Sequence, residues 1–131
     1  MPESLPTSIL LVEDDLMVRK MLMDVLKTLG YHVLEAIDGV NALEIARLPH
    51  QVKIDLLITD IAMPKMNGLE LVRQFSPEFP EAKIIVMSGY TEDPTFNHVM
   101  SQHHAEFIAK PFLLQALKQK IEGILSVSAG T

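Results

Sequence analysis

Short apolar runs and longer amphipathic segments alternate along the chain. Ser8-Ile9-Leu10-Leu11-Val12 is short, continuous and apolar, which predicts a strand covered on both faces. Val18, Met21, Leu22, Val25, Leu26 and Leu29 then recur at helical spacing, predicting a helix with one apolar stripe. Gly30 follows and suits a left-handed cap. His32 to Ala36 predicts a second strand and Asp38-Gly39 a turn or cap. Val40, Leu43 and Ala46 predict a short helix that stops before Pro49. The third strand is expected over Asp55 to Thr59. After the Met63-Pro64 loop, Leu69, Val72 and Phe75 mark a third helix, and Pro77 and Pro80 are expected to break the chain. Lys83 to Met87 predicts a fourth strand, closed by Ser88-Gly89. Residues 94–103 predict a helix despite poor apolar spacing. Glu106 to Ala109 is the fifth strand, and Leu114, Leu117, Ile121, Ile124 and Leu125 form the last helical stripe. One domain over residues 8–125 is expected, between a tail at 1–7 and a frayed tail at 126–131.

Strands alternating with helices predict an α/β fold, a doubly wound five-stranded parallel sheet with helices on both faces. Such sheets bind ligands at the carboxyl ends of their strands. Glu13, Asp14 and Asp15 follow the first run, and Asp60 follows the third. Ser88 follows the fourth, with Gly89 and Tyr90 behind it, and Lys110 follows the fifth, with Pro111 next. These side chains are expected on one rim. Clustered carboxylates repel one another, and a hard divalent cation offsets this. Mg²⁺ takes oxygen ligands and often binds one or two carboxylates plus a phosphate. A lysine and a hydroxyl can hold the remaining phosphoryl oxygens. A carboxylate can attack phosphorus to give an acyl phosphate. The constellation reads as a phosphoryl-transfer site with an aspartyl-phosphate intermediate.

Composition narrows the alternatives. The 131 residues, 48% hydrophobic, fit one domain with a packed core. The 8 methionines are read as core filler. The absence of cysteine excludes disulfides, thiolate metal sites and a cysteine nucleophile. A net charge of −6, with Lys and Arg scattered, argues against direct nucleic-acid binding. No apolar run approaches a membrane span. MPESLPTS has neither a basic n-region nor an apolar h-region. A soluble, cytoplasmic protein without membrane contact is expected.

Four motifs now stand in order: ILLVEDD with Arg19 behind it, LLITDIAMPKMNG, IIVMSGY and FIAKPF. Together they resemble the receiver domain of two-component response regulators, the CheY-like family, over roughly Ser8 to Leu125. The resemblance implies a flavodoxin-like (βα)5 receiver with strand order 2-1-3-4-5. It implies that Asp60 is the phosphoacceptor. Asp14 would be a direct Mg²⁺ ligand and Glu13 would act through water. Asp60 and the backbone carbonyl of Ala62 would complete the protein's share, and Mn²⁺ could substitute. Asp15 would be a peripheral third acid. Ser88 and Lys110 would bind the phosphoryl group, and the bond from Lys110 to Pro111 would be cis. Phe107 aligns with the switch aromatic. Phosphoryl oxygens would draw in Ser88 and let Phe107 enter the vacated space. The surface of the fourth helix, fifth strand and fifth helix would change in consequence. Ala62, Gly89, Tyr90 and Pro111 would modulate the rim. Tyr90 either shields the phosphate or simply lines the rim.

The implied partner is a histidine kinase or a histidine phosphotransfer protein. MSGYT resembles receivers attached to hybrid sensor kinases, so a kinase or output domain in a longer parent chain is a second expectation. No output domain is expected within this chain. The protein is expected not to be an enzyme, but to assist its own phosphorylation and dephosphorylation. The competing reading is an aspartate-nucleophile phosphatase of the haloacid-dehalogenase kind. Those resemble Asp-x-Asp, and here the general-acid position is Ala62. A flavodoxin-like ligand binder would leave the acidic pocket unexplained. His98, His103 and His104 are read as an exposed polar helix face rather than a metal site, and Lys65 and Arg73 as surface charges. The family often has Gly-Ala before the fifth strand. Here it is His104-Ala105, so the fourth helix is expected to end differently.

Overall fold

The computed structural model describes residues 7–49, 53–63, 65–89 and 94–129. Among these, strands and helices alternate as β1 (Ser8–Val12), α1 (Leu16–Thr28), β2 (His32–Ala36), α2 (Gly39–Ala46) and β3 (Leu56–Asp60). They continue as α3 (Gly68–Glu78), β4 (Lys83–Ser88), α4 (Pro94–Gln102), β5 (Glu106–Ala109) and α5 (Leu114–Ala129). The strands form one parallel sheet in the order β2-β1-β3-β4-β5.

The two faces of the sheet are covered by different helices. Leu10, Val12, Leu57, Ile84 and Val86 pack with Leu43 of α2, Leu71 and Phe75 of α3, and Phe96 and Val99 of α4. The alternate strand residues Ile9, Leu11, Leu56, Ile58, Ile85 and Met87 pack with Leu22 and Leu26 of α1 and Leu117 and Ile121 of α5. Burial on both sides is why β1 and β3 read as unbroken apolar runs rather than alternating ones.

Side-chain caps set the helix starts. Asp15, Asp38 and Asn67 each accept the backbone N–H three residues on, at Val18, Asn41 and Glu70. Asp38-Gly39 is therefore the start of a helix. At the end of α1, Gly30 is left-handed (φ +99°). Its N–H donates to Lys27 O, and that of Tyr31 donates to Leu26 O, the Schellman arrangement.

Several boundaries differ from expectation. Asp60 and Ser88 do not follow their strands; they are the last residues of β3 and β4, in register with Met87 and Ala109. Pro77 does not break α3. It lies in the last turn, where a missing N–H forfeits a single bond, and the helix closes with Phe79 N–H on Phe75 O. Met21 is 49% exposed, because Arg19, Leu22 and Leu26 carry the buried arc of α1 and Met21 lies at its edge. Val40 and Leu114 are also exposed. The last helix runs past Leu125 to Ala129, through Ser126, Val127, Ser128 and Ala129, residues that cost a helix only a few tenths of a kcal/mol each. α4 ends as α1 does. His104 takes the left-handed position (φ +55°), with its N–H on Ser101 O and that of Ala105 on Met100 O. The hydrogen bonds hold the cap without a glycine. Among the described residues no helix is long and apolar enough to cross a membrane.

Candidate functional site: an acidic rim around Asp60

Glu13 continues from β1 and is held from several sides. Its N–H donates to Ala36 O of β2 at 3.1 Å. Its carbonyl accepts from Arg19 Nη1 at 2.9 Å, and its Oε2 accepts from the Asp15 N–H at 3.1 Å. Glu13 is 2% exposed, and its Oε1 has no hydrogen-bond partner. Burial above all pushes the Glu13 carboxyl up. The Asp15 N–H and Lys110 pull it back, while Asp60 and Asp14 add to the rise.

Asp60 is fixed by β3 and by the turn after it. Its Oδ1 accepts from the Ile61 N–H at 2.8 Å, and Thr59 Oγ1 donates to its carbonyl at 2.8 Å. Gly68, the first residue of α3, packs on this turn. Its N–H donates to Ile61 O at 2.8 Å, and a Cβ there would stand 2.1 Å from Asp60 O. No side chain fits.

Lys110 arrives from β5, with its N–H on Ser88 O at 2.8 Å and a cis bond to Pro111. Its Nζ lies 3.0 Å from Asp60 Oδ2 and 3.5 Å from Glu13 Oε1. Burial is the largest single influence on this ammonium and pulls its pKa down. The hydrogen bond to Asp60, with the charges of Asp60 and Glu13, outweighs it, and the net shift is upward.

One carboxylate oxygen from each of Glu13, Asp14 and Asp60 lies within 4.8 Å of the others. Two of the residues are buried and Asp14 is exposed. Three hard oxygen donors and a buried carboxylate oxygen without a hydrogen bond fit a divalent cation such as Mg²⁺. Asp60 also lines a cleft of about 280 Å³, shared with Ile61, Ala62, Leu69, Ser88, Gly89 and Phe96. Phe96 meets Phe107 edge to face, with centroids 5.4 Å apart.

The rim thus brings together Glu13, Asp14, Asp60 and Lys110, with Ser88, Ala62 and Gly89 on the cleft. Asp15 turns aside to cap α1. Tyr90 lies outside the described residues. Phe107 is half-buried one layer away from the cleft, behind Phe96. Sequence reasoning missed the role of Gly68. Arg19 entered there only as part of the first motif, although a basic residue inside the buried arc of α1 is a signal.

The model of the response regulator receiver domain matches residues 9–122. The chain belongs to that family. The receiver is 37% identical over 117 residues to the response regulator receiver protein CpdR of Brucella abortus, covering 89% of this chain and 95% of that protein. It is 36% identical over 118 residues to the sensor kinase CckA of the same organism, covering 90% of this chain but only 12% of CckA. Among solved structures, a CheY-like receiver from Methanospirillum hungatei superposes with a TM-score of 0.85 at 26% identity, covering 95% of this chain and 98% of that one. The receiver domain of the hybrid histidine kinase CckA superposes with a TM-score of 0.73 at 33% identity, covering 88% and 96%. The receiver is therefore a phosphoacceptor signalling unit of the two-component kind.

Proposed function

We propose that Asp60 accepts a phosphoryl group from the phosphohistidine of a histidine kinase or a histidine phosphotransfer protein. A carboxylate oxygen of Asp60 forms the new P–O bond as the P–N bond to the donor imidazole breaks. The imidazole nitrogen keeps the electron pair and takes its proton from water. Lys110 and Ser88 hold the phosphoryl oxygens. Glu13, Asp14, Asp60 and the Ala62 carbonyl would hold Mg²⁺, or Mn²⁺ in its place. When bound, the ion neutralises charge on the carboxylates and the incoming phosphoryl group. The observation that carries this reading is the position of Asp60: buried, fixed in a strand, beside two further acids and an ammonium, and lining an open cleft.

The same residues account for the rest of the cycle. Ala62 brings no carboxyl to the cleft, which favours an acyl phosphate that persists. Ser88 moves toward the phosphoryl group and Phe107 shifts against Phe96, altering the α4–β5–α5 surface. Leu16, Met17, Met21, Leu113 and Leu114 are exposed and follow the acidic loop and Lys110 in the chain; they suit a docking donor protein. The working unit is residues 8–125, in the cytoplasm, alone or joined to a kinase or output domain. The test is incubation with acetyl phosphate and Mg²⁺, read by intact mass. One phosphoryl group is expected, and none on Asp60→Asn. Full labelling of that variant would overturn the assignment.

A further inference from the structure

Arg19 of α1 is buried and ties the acidic loop after β1 to strand β2. Its Nη1 donates to the Glu13 carbonyl at 2.9 Å, and its Nε donates to Glu35 Oε1 of β2 at 2.9 Å. The Glu13 N–H is tied to Ala36 of the same strand, and Glu13 Oε2 to Asp15. These ties leave one polar atom of Glu13 without a hydrogen bond, the Oε1 that faces Lys110, in a residue whose carboxylate is one of the three acids gathered on the rim.

From this geometry we infer that Arg19, held by Glu35, is a positioning residue for the cation site. It fixes the backbone of Glu13 so that Oε1 is presented and Oε2 is occupied. The inference rests on the reading of Glu13, Asp14 and Asp60 as a divalent-cation site. An arginine is suited because its planar fork reaches a carbonyl and a carboxylate at once. A lysine in its place keeps the charge but makes one of the two contacts. Partners one layer behind metal ligands commonly change affinity by about 10-fold or more when lost.

Positioning and charge predict different results, which makes the test sharp. Removing a cation near an acidic site tightens Mg²⁺ binding if only charge matters, and weakens it if Arg19 positions Glu13. Mg²⁺ is titrated into the wild type, Arg19→Lys, Arg19→Met and Glu35→Gln, following amide shifts by NMR, with thermal unfolding of the metal-free proteins alongside. Weakening by about 10-fold in both Arg19 variants is expected, with the core amide spectrum retained. Unchanged affinity in Arg19→Lys, or tighter binding in Arg19→Met, overturns the inference, even if the melting temperature falls. Should the Arg19 variants not fold, Glu35→Gln decides. The half-exposed Glu35 lies at the sheet edge, and its loss is measured at high salt, where a distant charge is screened. Weaker binding there supports positioning and equal binding overturns it. A wild type that binds no Mg²⁺ overturns the cation-site reading and this inference together.

Discussion

Gly68 and Asp60 approach so closely that a Cβ on Gly68 would stand 2.1 Å from the Asp60 carbonyl oxygen. Alanine at a helix position normally gains roughly 0.5–1 kcal/mol over glycine. Here the obstacle is backbone, which no rotamer change can clear. Overpacking of this kind costs about 1–3 kcal/mol, so the clash wins. Gly68→Ala is expected to lower unfolding stability in urea by about that amount and to slow acetyl phosphate labelling of Asp60. Unchanged stability together with unchanged labelling would mean that the turn yields easily.

Lys110 already neutralises part of the charge on Asp60 and Glu13, at 3.0 and 3.5 Å. An ammonium in this place competes with a bound cation. Lys110→Met should therefore bind Mg²⁺ several-fold more tightly, by calorimetry, while its labelling rate falls if Lys110 holds a phosphoryl oxygen as proposed. Weaker Mg²⁺ binding would show that Lys110 chiefly organises the carboxylates.

His104 carries the left-handed cap of α4 at φ +55°. Histidine visits this region more readily than most residues, yet glycine does so without steric cost. His104→Gly is expected to raise stability by about 0.5–1 kcal/mol at pH 8, read by denaturant unfolding. A loss would show that the imidazole makes contacts worth more than the strain.

His103 is half-buried at the end of α4. Burial foremost, then the charges of Arg73, His104 and His98, hold its pKa below the ordinary 6.5. As pH falls, the unfolded chain takes up this proton before the folded one. The stability contribution is thus complete above 6.5 and lost as pH falls through the depressed value. His103→Gln should flatten the fall in melting temperature over that mildly acid range. An identical profile would assign the acid sensitivity to other groups.

Much of this was legible in the sequence because the sheet is buried on both faces. Runs such as Ile9 to Val12 and Leu56 to Ile58 can hardly be anything but interior strands. Their order puts Glu13, Asp60, Ser88 and Lys110 on one rim before any coordinate is known. What the sequence concealed depends on contacts between distant segments. Gly68 looks like one more loop glycine until α3 is set against the end of β3. Arg19 looks like a polar interruption in a stripe until Glu35 and the Glu13 carbonyl face it. Pro77 and the last turns of α5 escaped for another reason: propensity is a weak guide at helix ends, where one missing bond costs little.

Asp60 belongs to the hydrogen-bonded ladder, opposite Met87, rather than to a loop. The loss of conformational freedom needed to aim its carboxylate is therefore incurred once, when the chain folds. If Asp60 accepts a phosphoryl group as proposed, an arriving donor would meet a carboxylate that needs no further ordering, and the entropy cost of the encounter would fall chiefly on the donor.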